Sequence, residues 1–433
     1  MMKLPKDIQY VLDVITKHNH QAYVVGGCVR DSLLGLKPID YDIATSASPD
    51  QIQSWFTHTI PTGLLHGTIT VLLDEAIEVT TFRKESEYID HRHPRSVIFV
   101  SSIEEDLSRR DFTINAMAYH PSIGLIDPFG GQKDLKKGII RCVGDGQTRF
   151  EEDALRILRG HRFAARYHFQ IEEKTMDAMK EKQELLSYIS VERIRYEVVE
   201  IMKHNPYQLE QMTSLLRPWI PELEQCQTCS QETKYHGTSI LRHTLHSIAQ
   251  LKPFDETLGY ALLFHDLAKP ACKRSVKNQS HCKKGSEIAK RICREWKLTR
   301  EQRVWIPRFV KYHDVSIKNP MAFIEFFCIE KQWPHEKIMD LFTIKRCDIW
   351  AHSTLEKKDI YDLEHLMEFY LQVKEERPLS LKDLPIDGKD IKALGYEGKD
   401  IKKALDACLT QGFRDIKMKK KEDYIMWLKG KEI

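Results

Sequence analysis

Tyr23-Val24-Val25-Gly26-Gly27-Cys28-Val29-Arg30-Asp31, with Asp40-Tyr41-Asp42 a short distance on, is the most informative stretch of this chain. Tyr23 to Val25 read as a β-branched and aromatic strand entering two glycines, after which Cys28 to Leu34 turn into a helix. Adjacent glycines let the backbone approach a phosphate, and the first helical turn offers it unpaired N–H groups. Arg30 is placed to clamp the same triphosphate. Asp40 and Asp42 fall on the next expected strand, Asp40 to Ala44, where alternate side chains share a face. Two carboxylates on one face can share divalent cations that also bridge phosphates, the layout of metal-assisted nucleotidyl transfer. Either half alone reads equally as a turn or a solvated acidic pair; their order and spacing carry the reading.

Composition sets outer bounds. A chain of 433 residues has room for two to four domains, and 42% hydrophobic with 30% charged residues is an ordinary globular mix. No apolar run reaches membrane-span length, and the first residues, Met1 to Asp7, lack the apolar core of a secretion signal, so no membrane association is expected. The formal charge of +3 leaves nucleic-acid binding to local patches: Arg109-Arg110, the arginines from Arg149 to Arg166, and the lysines from Lys417 to Lys421. Ten cysteines show no disulfide framework, and Cys226-x-x-Cys229 has no second pair at zinc-finger spacing. A cytoplasmic protein is expected. Nothing in the sequence sets an oligomeric state.

Up to about Val143, short strand-like runs alternate with helices. Ile69 to Leu73 and Ile77 to Phe82 read as strands joined at Asp74-Glu75. Helical periodicity then takes over in Phe150 to Tyr167, Glu172 to Lys182, Val191 to Lys203 and Pro206 to Leu216, until Pro218 and Pro221 interrupt it. A loop segment around Cys226 to Gly237 precedes a second helical block from Ile240 to about His352, and a smaller helical tail follows.

Two further stretches carry chemistry. Glu104 to Ala116 is a polar approach to a helix, in which Arg109 and Arg110 could neutralise a triphosphate and Asp111 and Asn115 share a helical face. In Glu151 to Phe163, Asp153, Arg156, Arg159 and Arg162 recur every third residue along an expected helix. A solvated face of mixed charge is the plain reading. The sharper one is that a carboxylate beside a guanidinium matches a Watson–Crick edge. Cytosine and adenine both expose an amino donor beside an unprotonated ring nitrogen, so Asp153 could accept from the first while Arg156 donates to the second. Uracil and guanine present the opposite pattern.

These motifs together, Gly26 to Gly35 with Asp40-Tyr41-Asp42, Arg109 to Ala118 and Glu152 to Arg159, closely resemble the class II tRNA nucleotidyltransferases, the CCA-adding enzymes, and bacterial poly(A) polymerases. The similarity runs from about Gln21 to Pro221. It implies an α+β chain: a polymerase-β-like nucleotidyltransferase head with a mixed sheet over residues 1–146, and an all-α neck and body over 147–222. By the same resemblance Asp40 and Asp42 are Mg²⁺ ligands and catalytic residues. Gly27, Arg30, Arg110, Asp153, Arg156, Arg159 and Arg162 bind the nucleotide, and the base is read by protein side chains. The segment Phe82 to Pro94 resembles a flexible head loop that is shortened in relatives adding only CC; its length argues against a pure CC-adder.

The later block adds a second pattern. His265-Asp266, in Leu262 to Lys269, places two metal-competent side chains in an otherwise apolar helix, where burial without partners would be costly. With His243 before it and Asp348 after, this resembles the HD superfamily, and His281 and His313 resemble the extra ligands of its two-metal members. An HD-type helical domain over 223–352, with a helical C-terminal tail over 353–433, is therefore expected, with Ni²⁺, Co²⁺ or Mn²⁺ as candidate ions and phosphohydrolysis as the implied activity. A retained helical scaffold that helps hold RNA is the alternative.

The leading expectation is Mg²⁺-dependent addition of CCA to the tRNA 3′ end from CTP and ATP. An A-adding enzyme or poly(A) polymerase shares the motifs. From other classes, an HD phosphohydrolase or an RNA-binding protein with a degenerate transferase head remains as an alternative.

Overall fold

The computed structural model describes residues 2–85, 97–230, 238–273, 280–352 and 357–430. Two compact units divide between Trp219 and Ile220, inside the Pro218–Pro221 interruption of the helical pattern.

The first unit is built on a seven-stranded mixed sheet. Its strands are β1 (Ala22–Val25), β2 (Asp42–Thr45), β3 (Thr59–Gly63), β4 (Thr68–Leu72) and β5 (Ala76–Thr81), with β6 (Arg83–Glu85) and β7 (Val97–Phe99) forming a separate ribbon. β8 (Ala118–His120) and β9 (Gly124–Ile126) complete the main sheet in the order β3-β4-β5-β2-β1-β8-β9. β1 is buried along its whole length because it is central, with antiparallel neighbours β2 and β8 on its two edges. β4 and β5 form the hairpin expected from Ile69 to Phe82. β2 and β5 pair in parallel, which makes the sheet mixed.

Tyr23, Val25, Ala44, Phe82, Ile103, Leu107, Ala116, Ala118 and Val143 pack into one apolar cluster of this unit. The helix Lys6–Lys17 buries Ile8, Val11, Leu12 and Ile15, residues three and four apart on one face. Helices Gly146–Glu152, Leu155–Tyr167, Glu173–Glu181 and Val191–His204 follow the sheet. The expected single helix from Phe150 to Tyr167 is two: Asp153 takes an extended backbone, φ −138° and ψ 103°, and breaks it. The chain segment Glu104 to Ala116 also departs from expectation. A helix spans Ile103–Ser108, and Asn115 closes a 3₁₀ turn at Thr113–Asn115 instead of sharing a helix with Asp111.

The second unit is helical among the described residues, with Ile240–Ala249, Glu256–Phe264, His281–Glu295, Arg300–Tyr312 and His335–Trp350 among its longer members. Cys226 lies on the helix Glu222–Thr228 rather than in a loop, and all ten cysteines are outside disulfides. No helix among the described residues is long and apolar enough to cross a membrane.

Candidate functional site

The Gly26-Gly27 turn is shaped by close neighbours. Gly26 has φ +74°, which calls for glycine, and a Cβ there would lie 2.7 Å from the flexible tip of Arg110, Nη1. The helix Gly27–Leu33 starts at once, its first N–H groups at the end of β1. Arg30 packs beneath this turn, where a Cβ on Gly27 would lie 3.5 Å from its Nη2. It is buried, its Nε donating to Asp31 Oδ1 at 2.8 Å and its Nη1 to Asn115, and it lies over the Phe163 and Tyr167 rings at 5.2 and 4.8 Å from their centroids. Arg30 thus buttresses the turn from within, and Arg110 is the guanidinium beside Gly26.

The carboxylates meet beside the same turn. In the antiparallel register Val25 faces Asp42, so Asp42 stands next to the glycine turn. β2 begins at Asp42, not at Asp40 as strand alternation had suggested; Asp40 precedes it in irregular backbone. The Asp40 carboxylate is nevertheless near enough to raise the Asp42 pKa. Loss of hydration among surrounding protein is the largest cause of that rise, Arg110 opposes it, and Glu78 adds to it. Asp42 still stays open to solvent. Glu78 is the residue sequence reasoning missed. It is the Cα partner of Asp42 across the parallel β2–β5 pair, so the two side chains project from one face. The available signal was the alternation Ile77-Glu78-Val79, buried, exposed, buried.

A second omission is Asp106. Almost wholly buried, it takes Arg109 Nη2 at 2.9 Å and Arg110 Nη2 at 3.4 Å, which fixes the arginine pair. Burial opposes ionisation of Asp106, yet these two cations hold its carboxyl below the usual range.

The later arginines are each held by an acid. Arg156 bonds Glu152 Oε2 at 2.7 Å and the Arg109 carbonyl at 2.8 Å, Arg159 bonds Asp111 Oδ2 at 2.8 Å, and Arg162 lies 2.7 Å from Glu197. Asp153 sits at the helix break, accepting from the Leu155 N–H at 3.1 Å and from Arg193 Nη2 at 3.4 Å. Asp153 is therefore off the helix that carries Arg156, Arg159 and Arg162, although the Arg156 N–H donates to its carbonyl at 3.0 Å. Asp111 links the two regions. Its Oδ1 accepts from Asn115 Nδ2 at 3.0 Å, and Asn115 in turn accepts from Arg30. A continuous polar chain thus runs from the glycine turn to the Leu155–Tyr167 helix. Although burial disfavours charge on Asp111, Arg159, Asn115 and Arg156 hold its carboxyl well below the usual range.

In the second unit, six expected donors converge. His243 Nε2 lies 2.8 Å from Asp348 Oδ1, and His265 Nε2 lies 3.2 Å from Asp266 Oδ2 and 3.4 Å from Asp348 Oδ1. The other Asp266 oxygen, Oδ1, faces His313 Nε2 at 3.7 Å and His281 Nε2 at 3.9 Å. His265 and Asp266 fall in the turn just after the helix Glu256–Phe264, not within an unbroken helix. His265 Nδ1 and His313 Nδ1 engage the Leu262 and Val310 carbonyls, which aims both Nε2 atoms inward. Burial works against charge on His265, but the Asp266 and Asp348 carboxylates raise its pKa to about 10. Lys269 Nζ, 2.6 Å from Asp266 Oδ2, is the fixed positive charge against this donor set. Cys282 and His352 join these groups within ligand-sharing distance, and sequence reasoning named neither.

A family profile described as "Poly A polymerase head domain" matches residues 22–141, and one described as "Probable RNA and SrmB- binding site of polymerase A" matches residues 168–226. The CCA-adding enzyme of Lactobacillus delbrueckii subsp. bulgaricus is 50% identical over 192 residues, 44% of this chain and 48% of that protein, so this match spans about half of the relative's length. The CCA-adding enzyme of Bacillus velezensis is 34% identical over 388 residues, covering 89% of this chain and 87% of the relative. Among solved structures, the Bacillus stearothermophilus CCA-adding enzyme in complex with CTP superposes with TM-score 0.73 at 28% identity, over 99% of this chain and 98% of that one. With head, glycine turn and carboxylates in place, and similarity extending along nearly the whole chain, this protein belongs to the CCA-adding enzyme family.

Proposed function

We propose that this protein adds C, C and A to the 3′ end of tRNA, using CTP and ATP, as a cytoplasmic tRNA-processing enzyme. The observation that carries the reading is the meeting of Asp40, Asp42 and Glu78 with the Gly26 turn and Arg110 on the central strands of the sheet. An all-oxygen, acidic donor set suits a hard cation, and Asp40 and Asp42 would hold Mg²⁺, with Glu78 beside them. The ion, when bound, supplies Lewis acidity at the nucleotide phosphates. Arg110 and the N–H groups that open the Gly27–Leu33 helix bind and orient the triphosphate. Asp153 and Arg156 meet the Watson–Crick edge, with Arg159 and Arg162 held by Asp111 and Glu197 as their support. Retention of every one of these side chains speaks against a degenerate head.

The finer division into a head (1–146), neck and body (147–222), helical domain (223–352) and tail (353–433) belongs to this proposal. The Phe82 to Pro94 segment lies largely outside the described residues, so the argument from its length against a pure CC-adder rests on sequence. Wild type and Asp42→Asn, incubated with tRNA lacking CCA, both nucleotides and Mg²⁺, test the assignment. Wild type is expected to extend the tRNA and the variant to lose extension while still binding tRNA. Substantial Mg²⁺-dependent extension by the variant would refute the carboxylate role.

A second reading concerns the second unit and rests on a separate observation, the inward convergence of His243, His265, Asp266, His281, His313 and Asp348. Mixed imidazole and carboxylate donors fit Ni²⁺, Co²⁺ or Mn²⁺, and such an ion supplies Lewis acidity toward a phosphate ester. This unit is accordingly proposed as a metal-dependent phosphohydrolase, independent of nucleotide addition. Elemental analysis and hydrolysis of 2′,3′-cyclic nucleotides with each ion test it; a protein that retains no metal and hydrolyses nothing would leave a helical scaffold.

A further inference from the structure

Cys282 belongs to none of the patterns by which the second unit was read, yet it lies at one end of the His and Asp cluster. Its Sγ is 3.4 Å from His281 Nε2, and donor atoms of His281, Cys282 and His313 all fall within 4.8 Å of one another. The helix His281–Glu295 starts at these two residues, while His313 follows the helix Arg300–Tyr312, packed against it. Asp266 Oδ1 lies on the histidine side of this group, 3.7 Å from His313 and 3.9 Å from His281. Asp266 therefore turns one oxygen toward His265 and the other toward His281 and His313, which divides the cluster into two positions.

Resting on the reading of this cluster as a metal centre, we propose that Cys282 joins His281 and His313 as a ligand of the second position, with Asp266 on its histidine side, a site selective for a thiophilic ion such as Zn²⁺ or Co²⁺ over Mg²⁺. The spacing supports a shared ion among the three donors His281, Cys282 and His313. With metal–nitrogen and metal–sulfur bonds of about 2.1 and 2.3 Å, a tetrahedral ion separates neighbouring donors by roughly 3.3–3.6 Å. The 3.4 Å between Cys282 and His281 falls in that range, and His313 lies within 4.8 Å of both, with Asp266 Oδ1 3.7 and 3.9 Å from the two histidines. A thiol–imidazole hydrogen bond alone would account for the shortest of them but not for the approach of His313 to the same pair. A thiolate ligand also sets the preference, since soft sulfur favours borderline ions and gives little to Mg²⁺, which takes oxygen donors. The thiol proton is released to solvent as the ion binds.

The test uses the full chain, stripped of metal with a chelator and reloaded with Co²⁺ alone. Bound cobalt is expected to show near-ultraviolet thiolate-to-metal absorption in addition to its visible ligand-field bands. Cys282→Ser and Cys282→Ala should both remove the near-ultraviolet feature and lower bound cobalt from about two ions to about one per chain, with circular dichroism reporting that each remains folded. Cobalt bound without thiolate absorption, or absorption that persists in both folded variants, would overturn the role of Cys282 while leaving the metal centre standing. Failure of the wild-type protein to bind cobalt would overturn both.

Discussion

Replacing Gly26 by alanine separates the backbone requirement of the phosphate turn from its contacts. At φ +74° and ψ −125° the residue occupies a region that side chains with a Cβ rarely adopt, and holding alanine there costs about 1–3 kcal/mol. The new methyl would also stand 2.7 Å from Arg110 Nη1. That clash is cheaply relieved, because the atom is the far end of a flexible side chain, so backbone strain dominates the loss of stability. Relief nevertheless moves the guanidinium away from the turn, and its 3.4 Å pairing with Asp106 gives it somewhere else to settle. Two effects are therefore expected together: a stability loss of about 1–3 kcal/mol in urea unfolding followed by a probe in the first unit, and weaker nucleotide use in single-nucleotide addition to tRNA. Arg110→Ala should reproduce the second effect without the first. A Gly26→Ala protein within about 0.5 kcal/mol of wild type, with unchanged addition kinetics, would refute both the strain and the phosphate-turn argument.

Other outcomes follow from the same geometry. Asp153→Ala and Arg156→Ala should weaken discrimination of CTP and ATP from UTP and GTP by roughly 5- to 100-fold, read by incorporation from each nucleotide separately, since a matched pair of base contacts discriminates by about 1–3 kcal/mol. Asp111 has a depressed folded pKa, so its stabilisation is complete above its unfolded value near about pH 4 and is lost as pH falls below that. Asp111→Asn should therefore destabilise the protein at neutral pH by about 1–3 kcal/mol, a buried-pair cost reduced because Arg159 is a third exposed, with the gap to wild type narrowing under acid. Asp266→Ala should abolish metal retention and any phosphoesterase activity while leaving tRNA extension intact, checked by elemental analysis beside an extension gel.

Much of this was legible in the sequence because local chemistry and tertiary role coincide. The glycine pair must bend and approach, so Tyr23 to Asp31 reads as strand, turn and helix from residue types alone. The hairpin from Ile69 to Phe82 is equally local, apolar alternation around an acidic turn. Misreadings arose where long-range partners decide. The partners that hold Arg30 beside Gly27, Asn115 and the Phe163 and Tyr167 rings, are likewise invisible in one dimension. The periodicity through Phe150 to Tyr167 conceals the break at Asp153, whose carboxylate accepts the Leu155 N–H and so competes with continuation of the helix. Glu78 escaped notice because only the parallel β2–β5 register brings it beside Asp42. His265-Asp266 announced itself as a polar pair in an apolar stretch, whereas Cys282 resembles any small buried residue until His281 and His313 are placed around it.

The most direct measurement offers the purified protein three RNAs, a tRNA lacking CCA, a tRNA ending in CC and an unstructured RNA, with each nucleotide separately and all together, and resolves the products by length on a gel. The account predicts that the first gains C, C and A and stops, that the second gains a single A, and that the third gains no long tail. Incorporation of A onto the tRNA ending in CC with no C added to the shorter one would establish an A-adding enzyme, and long A tails on the unstructured RNA a poly(A) polymerase; either result would contradict the central claim.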